Sequence, residues 1–154
     1  MRRAHRQGGG ASRGRCAFFV ALSLSLILLA LAVPRAAAWL NLTVGRQATD
    51  LLWRGEMPAP EGVRRALSSR EAALRWLELP RARKDLGIAH LRLAVFALRE
   101  GERLRAREHL ERATEQLEAG LARDPVDPWA WNELAWARAY GGEDVRAVDA
   151  LTMS

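Results

Sequence analysis

The hydrophobic positions of this chain fall into two regimes. Residues 16–33, CAFFVALSLSLILLALAV, run without a charge and without a polar stripe. As a helix they extend about 27 Å, close to the ~30 Å hydrocarbon core of a bilayer. Beyond Pro58 the apolar residues recur at three- and four-residue spacing, the period of amphipathic helices. A first such helix is predicted over residues 60–79 and ended by Pro80, with Ser68 and Glu71 spaced as a capping box that would interrupt it. A second, over 81–99, gathers Leu86, Ala89, His90, Leu93, Phe96 and Ala97 on one face. A third, over 102–123, gathers Ala106, Leu110, Ala113, Leu117 and Leu121, and its other face pairs Arg107 with Glu111 and Glu108 with Arg112. Glu100-Gly101 between them is short enough to force an antiparallel hairpin. A fourth helix, over 128–140, has Asp127 as N-cap, Pro128 in its first turn and Gly141-Gly142 as its stop. A last segment, 143–153, is apolar at Val145, Ala147, Val148 and Leu151. No alternating strand pattern occurs, so the expected fold class is all-α.

Charge divides the chain at the same place. Residues 1–38 carry six Arg and no acid, and the remainder carries 18 basic and 18 acidic side chains. The basic excess therefore belongs to the N-terminus and not to the helical part. A nucleic-acid surface needs a cationic face to neutralise phosphates, so a nucleic-acid partner is not expected. Residues 1–15 read as a basic cytoplasmic segment and 16–38 as a signal anchor or a signal peptide. Residues 39–59 read as a connector with one short helix around 48–55, and 60–154 as the helical domain. By the positive-inside rule the N-terminus stays in the cytoplasm and residues 39–154 lie outside it, in a periplasm-like compartment. Two outcomes stay open at the boundary. Pro34, expected to break the helix, and the small residues Ala36, Ala37 and Ala38 suit cleavage before Trp39, with secretion. The length of the apolar run suits a retained single-pass anchor through residues 16–33, with Trp39 as an interfacial candidate and Trp53 either interfacial or packed under the first long helix. Asn41-Leu42-Thr43 matches a glycosylation sequon, meaningful only in a eukaryotic secretory context. The single cysteine, Cys16, precedes the apolar run and forms no lipobox, disulfide or metal cluster.

The stretch around 125–154 resembles the tetratricopeptide repeats, whose signature is W-x2-L-G-x2-Y, then A-x3-F, over about 34 residues. Trp131, Leu134 and Ala135 stand at the Trp, Leu and Gly places. Gly142 stands at the inter-helix turn, and Ala147 and Leu151 at the Ala and Phe places. Arg138 replaces the Tyr, and Asp124-Pro125 closes an upstream unit as the family's units close. A looser unit covers residues 81–124, where Gly101, Ala106 and Leu110 repeat the spacing of Gly142, Ala147 and Leu151 in a helix longer by about two turns. The resemblance implies that small Ala135 and Ala147 let two helices approach, that Trp131, Leu134 and Leu151 fill the gap, and that such a pair must stack on a neighbour. The last helix would leave an apolar side for a partner or for another copy of the chain, making a homo-oligomer.

In that family ligands lie on the face formed by the first helix of each pair. Carried onto this chain, the face shows Trp129, Asn132, Trp136 and Tyr140. Aromatic side chains with an Asn suit a protein or peptide partner, the competing fate being burial against the preceding hairpin. The face holds no Lys or Arg, so the family's carboxylate clamp is not expected. Arg81, Arg83 and Lys84 read as a solvated basic run. His90 beside Asp85 or Glu102 is the only acid–base pairing the sequence suggests, and no nucleophile or phosphate loop accompanies it. His109 reads as a surface residue. The three histidines show no metal-ligand spacing and no cofactor motif occurs. The expectation is a non-enzymatic, membrane-tethered or exported helical-repeat adaptor of the cell envelope. The alternative is a small structural subunit of a membrane complex, held through its apolar helix.

Overall fold

The structure, a computed structural model, describes residues 10–153, with side chains from Phe18 onward. The basic segment 1–9, the side chain of Cys16 and Ser154 lie outside the described residues. Among those described there are seven helices and no strand: α1 (Gly10–Thr43), α2 (Arg46–Trp53), α3 (Pro60–Leu74), α4 (Pro80–Arg99), α5 (Arg103–Leu121), α6 (Pro128–Tyr140) and α7 (Asp144–Thr152). The chain divides into two compact units, residues 1–36 and 37–154.

Within the first unit, Phe18 to Val33 is uniformly exposed apolar surface. The stretch Phe18–Thr43 is the one described helix long and apolar enough to cross a membrane or to serve as a signal. Pro34 does not break α1, contrary to the sequence expectation. The helix nevertheless runs on to Thr43, though the missing N–H of Pro34 costs the carbonyl of Ala30 a donor. One residue on, Arg35 Nη1 donates to the carbonyl of Leu31 at 2.8 Å.

In the second unit the predicted connector is largely helical. Residues 39–43 complete α1, and α2 follows Gly45, whose φ of 75° only glycine adopts without strain. The helix over 60–79 ends five residues early, at Leu74. Pro80 holds Leu79 extended, and Glu78 turns aside to meet Arg83 at 2.6 Å and Arg123 at 3.0 Å. No break occurs at Ser68, whose hydroxyl donates back to the carbonyl of Arg65 inside α3.

Helix α4 is the hub. Twelve of its twenty residues are buried, on nearly every side, because α3, α5, α6 and α2 all pack against it. Glycine permits the closest approach: a Cβ on Gly87 would collide with Leu117 of α5. The core is one cluster built around Leu52, Val63, Ile88, Leu91, Leu117 and Leu134.

Two antiparallel hairpins follow, α4–α5 and α6–α7, and their turns share the same capping bonds. Gly101 and Gly142 have φ of 79° and 82°. At the first turn Gly101 N–H donates to Leu98 and Glu102 N–H to Ala97; at the second Gly142 donates to Ala139 and Glu143 to Arg138. Each is a Schellman cap with glycine at C′. The following helices open alike, Ala106 N–H donating to Glu102 and Ala147 N–H to Glu143, both at 2.9 Å. Even the surface pairs recur, Glu102 with Arg105 and Glu143 with Arg146.

The repeat fails at one apolar place. Leu110 is 6% exposed, but Leu151 is 51% exposed and does not fill the gap within its hairpin. The buried seam of α7 is Ala147 and Ala150, three residues apart, and Leu151, about 100° further round the helix, lies at the rim.

Candidate functional site

The α6 face is set by its N-terminus. Asp127 Oδ1 accepts from the backbone of Ala130 at 3.1 Å, and Pro128 occupies the first turn. The same aspartate is held at 2.6 Å by Lys84 Nζ, which also reaches Asp124 at 2.7 Å. The basic run 81–84 is therefore not simply solvated: Lys84 is 2% exposed and pins the α5–α6 turn. Burial pushes the Lys84 ammonium down, and its two aspartates outweigh that and hold it above the ordinary lysine range. Gly120 makes room, since a Cβ there would lie 2.6 Å from Lys84 Cγ. Arg83 is also paired, to Glu78 and to Gln116.

On α6 itself the tryptophans separate. Trp131 is half-buried against the core, with its indole N–H donated to the carbonyl of Pro125 at 2.9 Å. Trp129 also packs half-buried on the core, close to Gly55, and its indole nitrogen is buried without a partner. It belongs to the body more than to a free surface. Asn132 is half-buried. Trp136 and Tyr140 stay outside, 52% and 50% exposed, with ring centroids 6.0 Å apart and planes tilted by 31°. The structure thus brings together two of the four face residues. Leu134 and Ala135 are buried within the hairpin, as is Ala147. Arg138 joins α6 to both neighbours, donating to the carbonyl of Arg146 and to Glu118, each at 2.8 Å.

Beside this face Glu133 is buried and paired with Arg92 at 2.7 Å, while its second oxygen has no partner. Burial raises the Glu133 carboxyl above its ordinary value against the pull of Arg92.

The acid–base pairings suggested for His90 are not formed. Asp85 accepts from Trp53 Nε1 at 2.7 Å and from Arg70 Nε at 3.1 Å. Glu102 turns to Arg105. His90 instead meets His109, Nδ1 to Nδ1, at 3.1 Å, so His109 is half-buried and not a plain surface residue. The buried Arg70 also donates to the carbonyls of Leu42 and Val44, at 3.2 and 2.9 Å, capping the C-terminal end of α1. Cations suit a helix C-terminus, but nothing local in the sequence marks a partner 28 residues away. Burial raises Asp85 above its ordinary value, offset in part by Trp53, Arg70 and Arg81. Among the described residues no three His, Cys, Asp or Glu side chains gather as metal ligands. The chain matches no known family model, no curated protein and no solved structure.

Proposed function

We propose that the chain is a membrane-tethered helical-repeat adaptor of the cell envelope, binding a protein partner through the outward side of α6. The observation that carries this reading is the Trp136–Tyr140 pair. Two large aromatics lie half exposed side by side on a helix whose other positions are largely engaged in packing. Exposed aromatic anchors of this kind are typical of binding hot spots. The doubled Gly101 and Gly142 turns support a tandem repeat akin to the tetratricopeptide units, with the looser unit first.

Retention of α1 as an anchor is favoured over cleavage. Residues 36–38 lie inside a continuous helix, Ala38 is fully buried, and Arg70 caps that helix's last carbonyls. At about 1.5 Å per residue, twenty residues span ~30 Å. The stretch from Phe18 to Ala37 is thus long enough for a bilayer, leaving the last turns of α1 to the folded domain.

The test is crosslinking in the native membrane from a photoreactive residue at position 140, with position 107 on α5 as control. A specific protein adduct from position 140, lost in Trp136→Ala while thermal melting is unchanged, supports the adaptor. No adduct at position 140 above the control favours the structural subunit held through α1. A mature N-terminus at Trp39 would remove the tether from the proposal.

A further inference from the structure

Over the middle of α4, between α3 and α5, lies a cleft of about 300 Å³. Its polar lining is Arg64 from α3, His90 from α4, and Arg105, His109 and Arg112 from α5; Leu67 and Leu93 complete it. None of these residues is acidic. Glu108, next to His109 in the chain, does not line the cleft. Of the other acids close in sequence, Glu61 and Glu102 are engaged with Arg64 and Arg105, both at 2.9 Å, and Glu111 with Arg107, all in exposed one-turn pairs. Such pairs contribute little and exchange partners readily. Arg112 has no ion-pair partner among the described residues, so of the two pairs expected on α5 Arg107–Glu111 forms and Glu108–Arg112 does not.

The imidazoles form the floor. At 3.1 Å one Nδ1–H donates to the other Nδ1, which ring donates being set by the tautomers. Burial, His109 and Arg112 together push His90 down to about 4. Burial, Arg105 and Arg112 lower His109 as well, against the opposite effect of Glu108. The molecule thus lines one cavity with three arginines and two histidines and with no carboxylate among the lining residues.

We propose that this cleft is a receptor for a phosphate-type oxyanion, either free phosphate or the phosphate monoester of a lipid headgroup. Guanidinium groups match phosphate oxygens in two-bond forks. Here they come from opposite walls, which suits a tetrahedral group with three diverging terminal oxygens better than a planar carboxylate with two. The volume is at the small end of ligand sites, the size of a headgroup and not of a large metabolite. Leu67 and Leu93 offer apolar contact to the carbon attached to the phosphate. The cleft shares no residue with the α6 face, and the proposal does not depend on the adaptor reading.

The experiment uses the full chain in uncharged detergent micelles, following the His90 and His109 ring signals by NMR as inorganic phosphate is added. A second arm places the chain in phosphatidylcholine nanodiscs with or without phosphatidic acid. Saturable movement of both imidazole signals is expected, weakened about tenfold by Arg112→Gln and several-fold by Arg105→Gln. Both side chains are exposed, so circular dichroism should not change. Movement with free phosphate, or only with phosphatidic acid, supports the proposal and tells the two sources apart. The proposal is overturned if neither ligand moves the signals more than chloride at equal ionic strength. It is equally overturned if both variants respond as the wild type does.

Discussion

The two hairpins share a turn and differ in almost everything it joins. In α4–α5 the turn at Gly101 connects helices of 20 and 19 residues. Their seam is leucine-rich and is covered by α3 and α6. In α6–α7 the same turn at Gly142 connects 13 and 9 residues, and the seam of α7 is two alanines. Val145 and Val148 of α7 are 79% and 59% exposed. A backbone cap can therefore be copied without copying the stability of what it caps. Hairpin geometry is local, set by one glycine in the left-handed region, and its energy is tertiary, set by which side chains lose contact with water.

The largest break in the comparison should come from the leucines at matched places. Leu110→Ala empties a buried site and should cost about 3 kcal/mol. Leu151→Ala, at the exposed counterpart, should cost less than about 1 kcal/mol. Paired urea denaturation curves would check this, and equal losses would mean that the second hairpin is packed as tightly as the first.

The first hairpin also carries the histidine pair, and the second has none. Since His90 is held down to about 4 from 6.5 in the fold, the unfolded chain binds more protons between those values. Its contribution is therefore fully present above about pH 6.5 and is lost as pH falls toward 4, by roughly 2 kcal/mol. Raised Asp85 and Glu133 act in the opposite sense at the acid end, so the comparison with His90→Gln isolates the imidazole. The variant should show a flatter stability profile between pH 6.5 and 4.5.

The smallest effects should be equal ones. Gly101→Ala and Gly142→Ala meet no neighbouring atom and differ only in placing a Cβ at positive φ. Each should cost about 1 kcal/mol, and a clear difference in melting between them would deny that the turns are equivalent.

Where structure follows from near neighbours, the sequence was legible. Helix α6 begins and ends where Asp127, Pro128 and Gly141 place it, and the five apolar positions of α5 are all buried. What escaped depends on distant residues. The charge of Lys84 says surface, and only Asp124 and Asp127, some forty positions on, make it an interior residue. His109 looked solvated until α4 brought His90 beside it. The exposed aromatic pair was half legible: spacing puts Trp129, Trp136 and Tyr140 on one side of α6, but only the neighbourhood of Gly55 shows which tryptophan is covered. Leu151 shows the converse, a position expected inside the hairpin from spacing alone and found at the rim because two small alanines form the buried seam of α7.

Lys84 has one more consequence. It is the only lysine in the chain, and its ammonium is sealed behind two carboxylates. Amine-directed reagents, whether acylating labels, aldehyde fixatives or enzymes that acetylate lysine, find no accessible lysine on the folded domain. Such chemistry leaves the folded domain unmarked, and contacts made by that domain would be mapped only by carboxyl- or light-activated coupling.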